Sequence, residues 1–104
     1  MVAVLAPVES SPTATVIFSD LPGTGYVVKQ PFTVIVSSDN EGHFVACEPR
    51  TGVFNYDPKP FVAIEGFISA FISQFEFLLR SEDKLSASMK EELAQFRHLI
   101  APRP

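Results

Sequence analysis

The sequence predicts an α+β fold, in which a small antiparallel sheet of three to four strands packs on one long helix, followed by a short C-terminal helix. Short segments with alternating apolar and polar residues fill the first half of the chain. The segment from Pro58 to Arg80 and a second one near the C-terminus carry apolar residues at helical spacing. Because the strands come first and the helices follow, the order is typical of α+β domains.

Length and composition indicate one domain. The 104 residues include 46% hydrophobic residues, enough for a core without disulfide or metal support. Pro7, Pro12 and the polar run between them favour a flexible N-terminal arm over residues 1–12, so the domain is expected to span 13–104. The single cysteine, Cys47, excludes an internal disulfide, and its alternating surroundings predict a buried strand position in a reducing compartment.

Charge and targeting signals narrow the function classes. The formal net charge is −4 and the Lys and Arg residues are scattered, so we expect no direct DNA binding. An acidic surface instead suits a basic protein partner. Met1–Val8 is apolar but lacks a basic start and is interrupted by Pro7, which indicates neither a signal peptide nor a membrane span. We expect a cytoplasmic protein.

The first strand is predicted over Thr13–Phe18, which is β-branched and apolar. Pro22 and Gly23 then occupy the second and third positions expected of a type II turn. Pro31 separates Tyr26–Val28 from the next segment, because proline cannot donate to a central ladder. Either an edge strand bends at Pro31 or a new strand starts there.

A meander of three further strands follows. Phe32–Ser37 and His43–Glu48 both alternate with period two, and Gly42 can adopt the left-handed conformation that closes a short hairpin. Val53–Tyr56 returns as the last strand, with two aromatic residues on one face. These aromatics could form a platform for single-stranded nucleic acid, but such platforms need neighbouring basic residues, so we expect them to pack under the helix.

The long helix is expected to run from about Pro58 to Arg80, with Asp57 as its cap. One apolar stripe would cover the sheet, and it consists of Phe61, Ile64, Ile68, Phe71, Phe75 and Leu78. A helix that is apolar nearly all round must be buried on more than one side, whereas a small sheet covers only one. The remaining apolar residues therefore predict an interface with a partner or a second copy, formed by Phe67, Ile72, Phe77 and Leu79.

The second helix is expected from Ser88 to about Ile100. Ser88 and Glu91 have the spacing of a capping box, in which each side chain binds the other's backbone N–H. Leu93, Phe96 and Leu99 would form its apolar side together with Ile100, and Pro102 stops the helix.

The central part of the chain resembles the HicB family. The resemblance rests on Phe32–Val36, Glu41–Ala46, Gly52–Asp57 and the helix that follows, and it covers about residues 31–80. It implies an α+β domain with one helix behind the sheet and, in the antitoxin branch, a protein that occludes a small basic RNA-cleaving toxin. The short tail does not match the family's DNA-binding modules.

No catalytic, cofactor or metal site is predicted. His43 and His98 are the candidate ligands or catalytic bases, but neither has a Cys or carboxylate at the expected ligand spacing, so we expect neither role. Turn and cap positions account for the acidic residues, which are Asp20, Asp39, Glu41, Glu48 and Asp57. We therefore expect a non-enzymatic binding module that resembles a HicB-type antitoxin. The alternative is a homo-oligomeric structural protein without a toxin, and in either case a homodimer is expected.

Overall fold

The computed structural model of the chain describes residues 11–39 and 41–104, excluding the side chains of residues 11–13. Within these residues, six strands and two helices follow one another, and a 3-10 turn at Glu82–Lys84 joins the helices. The strands are β1 (Ser11–Phe18), β2 (Tyr26–Val28), β3 (Phe32–Ser38), β4 (Phe44–Cys47), β5 (Phe54–Asp57) and β6 (Ile100–Pro102). The helices are α1 (Pro60–Arg80) and α2 (Ala87–Leu99), so the α+β prediction is confirmed.

The strands form two antiparallel sheets. The larger one has the order β1-β3-β4-β5, and the smaller one pairs β2 with β6. In the larger sheet Phe18 lies opposite Phe32, and Cys47 lies opposite Ile35 on one side and Phe54 on the other. The question left open at Pro31 is thereby answered, because β2 and β3 belong to different sheets.

Two predicted turns are confirmed. The backbone N–H of Thr24 donates to the Leu21 carbonyl at 3.4 Å, and Gly23 has φ +79°, as a type II turn requires. In the β3–β4 hairpin the N–H of Asp39 donates to the His43 carbonyl at 2.9 Å, and Gly42 has φ +85°. Glycine is favoured at both positions because other residues rarely adopt positive φ.

The core lies between the larger sheet and α1. Phe32, Val34, Val36 and Ala46 point inward from the sheet and are buried. The rings of Phe32 and Phe71 stack at a centroid distance of 5.1 Å, which joins sheet and helix directly. The residues of α1 that are buried in this core are Ala63, Phe67, Phe71, Phe75 and Leu78.

The helix α2 and the small sheet extend the core beyond the four-stranded sheet. Phe96 of α2 contacts Phe71 and Phe75, with centroid distances of 4.8 and 5.4 Å. Tyr26 of β2 meets Phe75 edge-on at 5.7 Å, and its hydroxyl donates to Glu76 at 2.9 Å. The helix α1 therefore packs through one broad face against the four-stranded sheet, α2 and the small sheet, and Phe71 contacts both Phe32 and Phe96.

Several predicted boundaries need correction. The strand β1 begins at Ser11, so residues 11 and 12 are not part of an arm, and residues 1–10 lie outside the described residues. The helix α1 begins at Pro60 with Lys59 as its N-cap, so the predicted cap at Asp57 is wrong. Asp57 ends β5, and its carboxylate accepts from the N–H of Lys59 at 3.0 Å, before the helix starts. The three strands of the meander differ from the predicted ones by one residue at one or both of their ends.

The predicted capping box at Ser88 is wrong. The N-cap of α2 is Ser86, whose hydroxyl accepts from the N–H of Met89 at 3.3 Å. The helix ends at Leu99, and Ile100 is the first residue of β6 rather than the last of a helix. Ile100 is nonetheless buried, at 1% exposure, because the small sheet packs into the core.

Candidate interaction surface

The four residues predicted to form an interface have different environments. Phe67 is only 1% exposed and its ring lies 5.4 Å from that of Phe71 and 6.4 Å from that of Phe18. Phe67 therefore belongs to the core and cannot contact a partner, which corrects the prediction for this residue. Ile72 and Leu79 are partly buried against the same core, and Phe77 is 43% exposed.

The first half of α1 is rotated relative to the predicted stripe. Phe61, which was expected to face the sheet, is 80% exposed, whereas Ala63 is fully buried. The small residue Gly66 explains this orientation, because a Cβ there would collide with the side-chain amide of Asn55. Asn55 in turn donates from Nδ2 to the Ala63 carbonyl at 3.1 Å. The small residues Ala63 and Gly66 were the feature of the sequence that could have shown which face of α1 approaches β5.

The apolar surplus of α1 is partly used inside the chain. Ile64, Ile68, Ile72 and Leu79 pack against the core without being fully buried. The expectation that only the sheet covers the helix is wrong, because α2 and the small sheet also pack on α1. The exposed apolar residues of α1 are Phe61, Val62 and Phe77.

A second uncovered apolar surface is the outer face of the four-stranded sheet, on the side opposite α1. Strand alternation places nine residues there, and we call this surface the outer face. Ile17 is 66% exposed, Phe54 51% and Tyr56 61%. None of the nine residues carries a formal charge, and they are Thr15, Ile17, Thr33, Ile35, Ser37, Val45, Cys47, Phe54 and Tyr56.

Two aromatic rings dominate one edge of the outer face. Phe54 and Tyr56 lie nearly parallel, with a centroid distance of 6.5 Å and an interplanar angle of 10°. His43 meets Tyr56 edge-on at 6.1 Å. The prediction that these aromatics pack under the helix was wrong, because the residue of β5 that faces α1 is Asn55.

Cys47 lies near the centre of the outer face. It occupies a position on β4 between Ile35 and Phe54, so the predicted strand position is confirmed, although the side chain is only partly buried. Burial raises the pKa of the Cys47 thiol, and the neighbouring negative charge of Glu48 raises it further. The thiol is therefore neutral at physiological pH and acts as a small apolar group of this surface.

The tip of the β3–β4 hairpin brings three possible metal ligands together. One ligand atom each from Asp39, Glu41 and His43 lies within 4.8 Å of the others. The expectation that no carboxylate stands at ligand distance from His43 was therefore wrong. The N–H groups of His43 and Glu41 both donate to Asp39 Oδ1 at 2.8 Å, and they lower the pKa of this carboxyl, that of His43 foremost. Closing the turn is thus a sufficient role for Asp39.

A buried carboxylate shapes the next turn. Glu48 is 1% exposed and accepts from the backbone N–H groups of Arg50 and Thr51 at 2.9 and 2.7 Å. The Thr51 hydroxyl donates to the same carboxylate at 2.7 Å. The assignment of Glu48 to turn chemistry is confirmed.

An open groove of about 520 Å³ lies between this turn and α2. Arg50 and the carboxylates of Glu91 and Glu92 line it together with Gln95, whose Oε1 is buried without a hydrogen-bond partner among the described residues. The groove is lined by both positively and negatively charged side chains and has no apolar pocket, so its lining does not select one class of small ligand.

The helix α1 also has the length and mean hydropathy, 1.5, of a segment that could cross a membrane. Core helices of folded domains share these properties, and three phenylalanines of α1, Phe67, Phe71 and Phe75, lie in the core of this domain. Packing within the chain accounts for only part of the apolar composition of α1, since 28% of this apolar window is buried and Phe61, Val62 and Phe77 are exposed.

Comparison of the chain with known protein families, with curated proteins and with solved structures finds no match. The resemblance to the HicB family stays a hypothesis. The fold and its surface define an α+β domain whose sheet presents an uncharged, apolar outer face.

Proposed function

We propose that this chain is a non-enzymatic protein-binding module and that it binds through the outer face of its sheet. The observation that carries this proposal is the exposure of Ile17, Phe54 and Tyr56 on one continuous surface. Proteins that act alone rarely leave a large contiguous apolar patch in water, and exposed patches of this kind mark interaction sites. Aromatic residues are enriched at such sites because they bury much area with few rotatable bonds.

The first candidate role is that of an antitoxin that works in the cytoplasm. The HicB-like segments support it, because family antitoxins occlude small basic toxins that cleave RNA. The net charge of −4 also favours encounter with a basic protein. In this role the chain blocks its partner sterically, and neither a cofactor nor direct DNA contact is needed.

The second candidate role is that of a homo-oligomeric structural protein without a toxin. The absence of charge among the nine residues of the outer face favours it, because the face can pack against a copy of itself without burying an ion. The two roles share the mode of action and differ in the partner.

Co-expression tests the antitoxin role. If a small basic protein is encoded beside this gene, it is produced in a bacterial host with and without the chain, and growth is measured. We expect the chain to restore growth and the double variant Phe54→Thr/Tyr56→Thr to lose this ability, because aromatic anchors carry much of the binding energy. Threonine retains the preference for strand, so the sheet is kept.

Phe61→Thr is the matched control, because Phe61 is 80% exposed and lies on α1, away from the outer face. This variant is expected to restore growth like the unmodified chain. Rescue by the Phe54/Tyr56 variant would contradict binding through the outer face. Failure of the unmodified chain to rescue, or a neighbourhood without such a gene, would contradict the antitoxin role.

A further inference from the structure

We infer that residues 1–8 fold back over the outer face of the same chain, so that a binding partner must displace this segment. The inference rests on the proposed function, binding through the outer face, and adds an internal competitor for that face. Three properties support it, which are the composition of the segment, the place where β1 begins and the shape of the face.

The composition of residues 1–8 matches that of the outer face. Seven of these eight residues are apolar, the exception being Pro7, and the first charged side chain is that of Glu9. The nine residues of the outer face also carry no formal charge. The two surfaces can therefore leave water together without burying an unpaired charge.

The start of β1 delivers the segment to the edge of the outer face. β1 begins at Ser11, which lies opposite Ser38, the last residue of β3. An extension of β1 toward residue 1 would run past the end of β3, because the chain turns at Asp39. Pro7 also lacks the N–H that a ladder requires. A path across the outer face is the remaining course that buries the apolar residues.

The segment is long enough to reach the middle of the outer face. Cys47 lies on β4, two strands from β1, and its partner Ile35 precedes Ser38 by three residues. Two strand spacings of about 4.8 Å, three residues at about 3.4 Å and a height of about 10 Å place this point roughly 17 Å from Ser11. Six extended residues span about 20 Å, so Leu5 can lie over Cys47.

The face has room for one extended segment across its middle. The large rings of Phe54 and Tyr56 stand on β5 at one edge, whereas the neighbouring β4 carries the smaller Val45 and Cys47. Because side chains stand roughly perpendicular to a sheet, the rings rise above β4 and form one wall of a shallow trough. Side chains of the size of valine and leucine fill such a trough.

Tethering favours the chain's own segment over a separate molecule. Four strands about 4.8 Å apart and about five residues long give the face roughly 300 Å² in projection. A free molecule must repay lost translational and rotational freedom from this small area. A segment joined at Ser11 does not, since its effective concentration is in the mM range. A partner that displaces it must therefore make further contacts around the face.

The rate of maleimide addition to Cys47 tests the inference on the full chain. In the double variant Val4→Asp/Leu5→Asp the segment should leave the face, because burying two carboxylates is strongly unfavourable. We expect this variant to label about tenfold faster than the unmodified chain at every concentration from about 1 to about 200 µM. The added negative charges oppose formation of the thiolate, so a faster rate reports exposure of Cys47.

Phe61→Asp/Val62→Asp is the matched control. It adds the same two charges at exposed apolar residues of α1, where acidic groups in the first turn are compatible with the helix. This variant should label as slowly as the unmodified chain. Circular dichroism checks that each variant is folded.

Nuclear Overhauser contacts locate the segment without any substitution. We expect contacts from the methyl groups of Val4 or Leu5 to those of Ile35 or Val45. Because this measurement uses the unmodified chain, it decides the matter even if the aspartate variant does not fold.

Three results would overturn the inference. Equal labelling rates for the unmodified chain and the Val4/Leu5 variant would show that the segment does not cover the face. Protection of Cys47 that disappears on dilution would place a second copy there. Overhauser contacts from the segment to Phe61 or Phe77, instead of the outer face, would place it on α1.

Co-expression separates this inference from the proposed function. If both hold, the Val4/Leu5 variant restores growth at least as well as the unmodified chain, because its face is open. A chain that never restores growth but shows the expected labelling and Overhauser contacts would contradict the antitoxin role and support the inference.

Discussion

Glu48 shows how one residue can fix the course of the chain. A carboxylate at 1% exposure is expensive to bury unless donors surround it. Here the turn from Pro49 to Gly52 supplies three donors, two backbone N–H groups and the hydroxyl of Thr51. The turn and the carboxylate therefore stabilise each other, and β5 is held in register with β4.

The variant Glu48→Ala should be less stable to urea by about 1–3 kcal/mol, because three donors lose their acceptor in a buried place. Glu48→Gln keeps one acceptor oxygen, so it should lose less stability to urea than Glu48→Ala does. Glu91→Ala is the control, since Glu91 is exposed on α2 and its removal should change stability by less than about 0.5 kcal/mol. Equal effects at positions 48 and 91 would contradict the structural role of Glu48.

The sequence was misleading about which residues of β5 face inward. Alternation alone shows that Phe54 and Tyr56 share a face, and hydrophobicity argues for placing that face in the core. The structure places Asn55 inward instead, because Gly66 leaves room for its side chain and the Ala63 carbonyl accepts its amide. A polar residue can thus displace two aromatics from the core side when the opposite helix offers a gap and an acceptor.

At the scale of single elements, local rules predicted well. The type II turn at Pro22 and Gly23, the hairpin closed by Gly42 and the return strand β5 all follow from a few neighbouring residues. The start of α2 was placed two residues late, because Ser86 and Ser88 are both chemically suited to cap a helix. Only the backbone path after Leu85 decides between them.

The two serines give a direct test of the cap. Ser86→Ala should lower the free energy of unfolding by about 1 kcal/mol, because the N–H of Met89 loses its side-chain acceptor. Ser88→Ala should have a smaller effect, since its hydroxyl caps no backbone group and contacts only the Ser86 hydroxyl at 3.3 Å. Thermal unfolding of both variants measures the difference. A larger loss at Ser88 would restore the predicted capping box.

At the scale of the whole molecule, the packing of α2 and the small sheet against α1 could not be read from the sequence. Whether a helix face is covered depends on contacts between segments far apart in the chain, and the pairing of β2 with β6 leaves no local pattern. The apolar surplus was correctly noticed, but α2 and the small sheet cover part of it. Another uncovered surface lies on the sheet.

The small sheet should contribute substantially to stability. Ile100→Ala is expected to lose about 2–5 kcal/mol, because Ile100 is 1% exposed and its removal leaves a cavity beside the core. Pro102→Ala, at the exposed end of β6, should change stability by less than about 0.5 kcal/mol. Urea unfolding measures both. A loss at Ile100 no larger than that at Pro102 would show that β6 adds little to the fold.

The pairing of Tyr26–Val28 with Ile100–Pro102 also has a consequence for biosynthesis. The meander β3–β5 can form as soon as its three strands have left the ribosome, but β2 has no strand partner until the segment after α2 is translated. The nascent chain therefore passes through a state in which α2 and the small sheet have not yet packed against α1 and Phe75 lacks its cover. During this interval a chaperone would find apolar binding surface on α1 as well as on the sheet.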